Sequence, residues 1–324
     1  MKKYLIPNTG LKVSRLAYGC MGIGGSWDNA PLTKEVTSKA IVSISTALEH
    51  GINFFDHADI YAHGKSELVF GKVLKEMNRL RDNMIIQTKC GIRFPGNPNP
   101  DSPGRYDFSY EHIINSVDGS LSRLGVEQLD ILLLHRPDPL MEPEEVAKAF
   151  DELHKNGKVR FFGVSNFNPG QMTLLQNSMD QPIVVNQIEI SLLHHHVIND
   201  GILANQTSGQ YAASTGILDY CRLNNILVQA WSPVALGKIF NPPLTADENV
   251  INLAKQISTY AEKKGTSKEA ISLAWLMKHP IGIQPVIGTT NPERIANSCK
   301  TDEITLSREE WYTLFTIARG NPVP

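Results

Sequence analysis

The chain has 324 residues, 41% hydrophobic and 20% charged, enough to bury a large core and too apolar for extended disorder. Lys and Arg number 31 against 33 Asp and Glu, so the net charge of −2 supplies no field to draw in nucleic acid or an anionic membrane, and small molecules become the expected partners. The four cysteines, Cys20, Cys90, Cys221 and Cys299, are far apart without a CxxC pair, which speaks against a zinc ribbon and fits a reduced, cytoplasmic setting.

At the start, "LIPNTGLKVSRL" carries Asn8, Thr9 and Gly10 between two apolar stretches, the pattern of a β-hairpin. Pro7, Asn8 and Gly10 interrupt any apolar run there, so a secretory signal is not expected. Eight short apolar runs follow: "RLAYGC" (15–20), "INFFD" (52–56), "MIIQTK" (84–89), "LDILLLH" (129–135), "VRFFGVSN" (159–166), "IVVNQ" (183–187), "ILVQAW" (226–231) and "IQPVIG" (283–288). Continuous runs of this kind suit a parallel sheet buried on both faces. Between them, apolar residues recur at helical spacing, as in Val36, Ala40, Ile44 and Leu48, or Ile114, Val117, Leu121 and Leu124. Two polar stretches, 94–108 and 205–215, are expected as long loops after the third and sixth strands. Ser307 before "REEWYTLFTIAR" predicts an N-capped last helix outside the repeat. Eight such units fit a single-domain (β/α)8 TIM barrel over residues 1–324, with a hairpin cap and an additional C-terminal helix. No apolar run approaches about 18 residues, so no membrane span is expected.

Several runs end in reactive side chains: Asp56, Lys89, His135, Ser165 with Asn166, Gln187, and Trp231 with Ser232. In a barrel these strand ends converge on one rim. Each residue alone has a bland reading, Asp56 as a turn cap or His135 as a core histidine. Together with Tyr61 they supply what carbonyl reduction needs, because hydride arriving at carbon leaves charge on oxygen that must be protonated and stabilised. A phenol is a poor acid unless a cation stabilises its phenolate, and Lys89, held charged by Asp56, is the expected cation.

The motifs "FFDHADIY", "TKCGI", "LLLHRPDP", "FGVSNF", "NQIEIS", "AWSP" and "GTTNPERI", in this order, resemble the aldo-keto reductase family, in particular its bacterial "DHADIY" members. The resemblance implies a tetrad of Asp56, Tyr61, Lys89 and His135, with Tyr61 as general acid, acting on a small carbonyl substrate, and a monomer as the default state. It also implies an NADPH site, with NADH as the alternative. Ser165, Asn166 and Gln187 match positions that bond the nicotinamide carboxamide, and Trp231 the aromatic that stacks on its ring. Ser232, Pro233, Val234, Gly237 and Lys238 match the loop over the pyrophosphate. Gly288, Thr289, Thr290 and Arg294 match the adenosine 2′-phosphate region, where a strand end runs into a helix start that favours anions. Gly288 stands where many relatives have Lys, and His57 where many have Thr; a supporting hydrogen bond is the expected role of His57. Met21, Ile23, Trp27, Phe94 and Tyr106 are expected to line the substrate pocket.

The glycines of "YGCMGIGG" do not fit the GxGxxG dinucleotide pattern, and "HHH" (194–196) lacks metal-ligand spacing, so no metal is expected. Two other classes stay open: a metal-dependent barrel hydrolase using Asp56, His57 and His135, and a cofactor-binding regulatory or redox-sensing barrel.

Overall fold

A computed structural model describes residues 1–76, 81–202 and 215–324. The hairpin is present as β1 (Lys3–Leu5) and β2 (Lys12–Ser14), paired antiparallel. Asn8 and Gly10, at φ 62° and 71°, make its turn. The barrel strands are β3 (Ala17–Gly19), β4 (Phe54–Asp56), β5 (Ile85–Cys90), β8 (Leu129–Leu134), β9 (Val159–Ser165), β10 (Ile183–Glu189), β11 (Leu227–Trp231) and β12 (Gln284–Ile287). They close in sequence order, β12 pairing parallel with β3. Each matches one of the eight apolar runs.

Around them lie α1 (Lys34–Glu49), α2 (Lys65–Glu76), α3 (Tyr110–Leu124), α4 (Pro143–Lys155), α5 (Pro169–Gln176), α6 (His196–Asp200) and α7 (Ile217–Leu223). The later part of the chain contributes α8 (Glu248–Lys263), α9 (Lys268–Met277), α10 (Pro292–Cys299) and α11 (Arg308–Arg319). Ser307 caps α11 as expected: its hydroxyl accepts from Glu310 N at 3.1 Å, and its own N–H donates to Glu310 Oε2 at 2.8 Å. A second helix outside the repeat, α8, packs beside α11 and was not expected from the sequence. Stacked indoles of Trp275 and Trp311, 5.2 Å apart, fasten α11 to α9, each ring N–H donating to the other's carbonyl.

The stretch 94–108 is more ordered than a plain loop, because β6 (Ile92–Arg93) and β7 (Arg105–Tyr106) pair antiparallel across its base. Residues 205–214 of the other expected loop lie outside the described residues.

Side chains alternate between the two faces of each strand. Outward residues such as Phe55, Ile86, Leu132 and Val228 join the core beneath the helices. Inward residues form layers. At the floor Phe54, Ile131, Leu133, Val185 and Leu227 pack with Ile6, Leu11 and Val13 of the hairpin, which closes that end. Polar residues fill the layers above.

Candidate active site

Pairing of β4 with β5 sets Asp56 beside Gln87 and puts Lys89 one pleat higher toward the rim. Lys89 Nζ donates to Asp56 Oδ1 and Oδ2, both at 2.8 Å, to His57 O at 2.9 Å and to Tyr61 OH at 3.1 Å. Lys89 is 0% and Asp56 2% exposed. Such a pair repays its desolvation only with full hydrogen bonding, and here three acceptor groups meet the three ammonium protons. Burial works against the Lys89 ammonium, yet Asp56 and Tyr61 outweigh it and its pKa is raised.

Tyr61 reaches this point because the chain turns sharply after β4. Asp59 N donates to Lys89 O at 3.0 Å, and Tyr61 N to Ala58 O at 3.1 Å. Ala62, His63 and Gly64 then follow in the left-handed region, at φ 49°, 57° and 84°. Non-glycine residues held there store backbone strain, a recurrent feature of functional sites. Burial pushes the Tyr61 phenol up, the Lys89 charge opposes this, and the net direction is up. Lys89 therefore offsets the effect of burial without making the phenol more acidic than an ordinary one, as the sequence alone would suggest.

His135 follows β8, its N–H donating to Cys90 O at 2.9 Å, and its ring lies 5.9 Å from that of Tyr61. Burial, reinforced by the Lys89 and Arg136 charges, holds its pKa well below the usual range, so the imidazole is neutral at physiological pH.

Asp56, Tyr61 and His135 open onto a cavity of about 690 Å³. Its walls also carry Ser165, Asn166, Gln187 and Trp231 from three strand ends, Ser232, Pro233, Val234 and Gly237 from the loop after β11, and Gly288, Thr289 and Arg294 after β12. Lys238 and Thr290 stand off this wall. Trp231 Nε1 donates to Asn166 Oδ1 at 3.1 Å and Asn166 Nδ2 to Ser165 Oγ at 2.8 Å, fixing that corner. Ser232, Ala235 and Leu236 all hold positive φ, a strained loop at the cavity edge. Asn291 caps α10 by accepting from Glu293 N and Arg294 N. A Cβ added at Gly288 would meet nothing within 4 Å. A cavity of this size, whose wall carries an indole, two amide side chains and Arg294 beside a capped helix start, fits a dinucleotide. Lys268 and Glu269, at the start of α9, complete that far wall and were missed in the sequence.

Of the five residues expected at a substrate pocket, Met21 and Trp27 line the cavity, and the other three are placed elsewhere. Ile23 is 2% exposed in the core beneath the helices, because the turn after β3 directs it inward. Phe94 packs against His63 at 4.8 Å behind Trp27, and Tyr106 faces outward on β7. The supporting hydrogen bond expected of His57 is also absent: among the described residues neither ring nitrogen has a partner, and the ring packs on Phe70 at 4.5 Å. Burial and the Lys89 charge push its pKa down to about 3. Its contribution to the tetrad is the backbone carbonyl bonded to Lys89.

Sequence reasoning also missed a row of buried amides beneath the tetrad. Gln187, Gln229 and Gln284 lie in register on β10, β11 and β12. Gln284 Nε2 donates to Ser14 O at 2.7 Å and Gln229 Nε2 to Gln284 Oε1 at 2.8 Å. Gln229 Oε1 accepts from Gln87 and Gln187, each at 2.9 Å, and Gln87 Nε2 also donates to Asp56 Oδ1 at 2.6 Å. The signal was a Gln in the middle of the apolar runs "MIIQTK", "ILVQAW" and "IQPVIG". Arg136, whose guanidinium lies 5.3 Å from the centre of the Trp231 ring, was likewise passed over.

Among the described residues, neither metal-hydrolase nor triple-histidine geometry is assembled. Asp56 is committed to Lys89 and His57 faces Phe70, while His195 packs on Phe315 of α11. Among the described residues no three His, Cys, Asp or Glu side chains converge on a common point.

Fold and site together define a (β/α)8 barrel whose polar mouth holds an acid, an ammonium, a phenol and a neutral imidazole. The model of the Aldo/keto reductase family matches residues 15–318. The chain belongs to the aldo/keto reductase family and is an oxidoreductase. A 6-dehydroglucose reductase of Agrobacterium fabrum is 36% identical over 314 residues, covering 97% of each chain. The oxidoreductase YdhF of Escherichia coli is 35% identical, covering 89% of this chain and 91% of that one. A glycerol dehydrogenase from Gluconobacter oxydans superposes with a TM-score of 0.82 at 25% identity, covering 100% of this chain and 97% of that one.

Proposed function

We propose that the protein reduces small aldehydes or ketones to alcohols with NADPH, and that Tyr61 gives the proton. A nicotinamide held by Asn166, Gln187 and Trp231 would supply the hydride for the carbonyl carbon. His135, neutral, donates an N–H to the carbonyl oxygen and orients it. As charge grows on that oxygen, the Tyr61 hydroxyl bonds to it and releases its proton, and Lys89 stabilises the phenolate left behind. Asp56 keeps Lys89 protonated and aimed. The observation that carries this reading is the 3.1 Å contact between Lys89 and Tyr61, backed by the buried Asp56 carboxylate.

Arg294 and Lys268 on the far wall favour the phosphorylated dinucleotide, even with glycine at 288. Within the substrate class, polyhydroxylated carbonyl compounds fit best. Trp27 offers an apolar platform beside hydrogen-bonding groups on His135 and Arg136, and the Agrobacterium fabrum relative is named for a sugar aldehyde.

The test is a cofactor-oxidation screen over sugar aldehydes, ketones and 4-nitrobenzaldehyde with NADPH and NADH. Tyr61→Phe is expected to bind NADPH as the parent does and to lose at least ~100-fold in kcat. Full turnover by Tyr61→Phe would remove the phenol from the proton-donor role.

A further inference from the structure

Two groups that only accept hydrogen bonds bracket the row of buried amides. At one end is the backbone carbonyl of Ser14, on the hairpin that closes the floor; at the other is the Asp56 carboxylate. Ser14 O forces the Gln284 amide to present its N–H there, so Gln284 Oε1 faces Gln229. Gln229 must then turn its own N–H toward Gln284 and its carbonyl toward Gln87 and Gln187. With acceptors on both sides, Gln87 spends both N–H groups, one on Gln229 and one on Asp56. Its carbonyl is left over, and Gln87 Oε1 is indeed buried with no partner among the described residues. An orphaned buried acceptor costs free energy comparable to a lost hydrogen bond and needs a reason. A chain of donors running between two acceptors requires one such orphan, and it falls at Gln87.

We propose that Gln87 and Gln229 are positioning residues, and that the row of amides from Ser14 orients Asp56 and Gln187 at the same time. The inference rests on the proposed roles of the tetrad and of Gln187 toward the nicotinamide. Through Gln87, the row pins Asp56 Oδ1 so that both carboxylate oxygens stay on Lys89. Through Gln187, it consumes an N–H, which leaves the Gln187 carbonyl as the group presented to the cavity, suited to accept from a carboxamide N–H. Gln229 is the branch point, so the proton-donating unit and the cofactor subsite share one hydrogen-bond acceptor.

The test uses Gln87→Met, Gln229→Met and Gln284→Met in the full-length protein. Readouts are NADPH affinity by intrinsic fluorescence quenching, kcat with 4-nitrobenzaldehyde, and the pH midpoint for oxidation of 4-nitrobenzyl alcohol. Gln87→Met is expected to lower kcat by roughly 10-fold and to move the oxidation midpoint to higher pH, because a less well held Lys89 stabilises the Tyr61 phenolate less. Its NADPH affinity should stay close to the parent's. Gln229→Met should show both the kcat loss and a weakening of NADPH binding of about 10-fold, having released both branches. Gln284→Met touches neither Asp56 nor Gln187 and should show the Gln229→Met pattern in weaker form, which keeps the test decisive if a nearer variant fails to fold. Parental kcat and pH midpoint in Gln87→Met, or a fall in melting temperature as the sole effect of Gln229→Met and Gln284→Met, would overturn the proposal. Failure of the tetrad reading is separate: it appears as retained turnover in Tyr61→Phe.

Discussion

Asp59, three residues beyond Asp56, illustrates how much the surroundings of a single side chain decide. Burial and the nearby Glu67 charge push its carboxyl up to about 7, against the opposing Arg123, and its Oδ1 has no partner among the described residues. Glu67 is already committed, accepting from Thr88 at 2.6 Å and from Arg123 at 2.8 Å. An unfolded Asp titrates near 3.8, so between that pH and about 7 the folded state holds a proton that the unfolded chain has lost. The resulting stability is fully present below the lower value and disappears as pH rises through the upper one. Asp59→Asn, which is neutral at any pH, should therefore raise the melting temperature more at about pH 8 than at about pH 5. Equal shifts at both would mean that Asp59 is ionised in the fold. In the sequence Asp59 is simply an acid close to Asp56; its burial depends on α2 and α3 packing over it, which no local pattern reveals.

Strands show which parts of the site the sequence made legible. All eight were visible as apolar runs, and the grouping of Asp56, Tyr61, Lys89 and His135 at one mouth was visible because they end strands or follow them closely. What stayed hidden is what faces the barrel axis in mid-strand: Gln87, Gln229 and Gln284 look like imperfections in buried runs until the register lines them up. Residues in connecting segments were misplaced for a related reason, since Ile23 and Phe94 take their directions from turns, and Tyr106 from a small strand pair, whose geometry the sequence leaves open. Helix α8 escaped because it packs on another helix and not on the sheet. A close strand-to-strand approach occurs at Gly163 on β9, where an added Cβ would lie 2.6 Å from both Val185 O and Leu133 Cδ2. Gly163→Ala should push β9 away from β10 and lower the unfolding free energy by about 1–3 kcal/mol in urea titration. A variant as stable as the parent would show that the two strands have slack at this point.

Across the whole molecule, the inner layers carry the chemistry and the helical belt carries stability, with α11 and α8 as an outer brace. Trp311 belongs to that brace through its stack and paired bonds with Trp275. Because Trp311 is half-buried, Trp311→Ala should cost about 2 kcal/mol, below the range for a fully buried aromatic, while kcat with 4-nitrobenzaldehyde is unchanged. A parallel loss of kcat would mean that the brace shapes the mouth of the barrel. At the opposite pole, Ile6, Leu11 and Val13 stopper the cylinder. With that end corked, the cofactor and carbonyl compound of the proposed reaction would both come in at the opposite rim. If the nicotinamide lies beneath the carbonyl, the dinucleotide would have to enter first and depart last, an order of traffic set by the shape of the container.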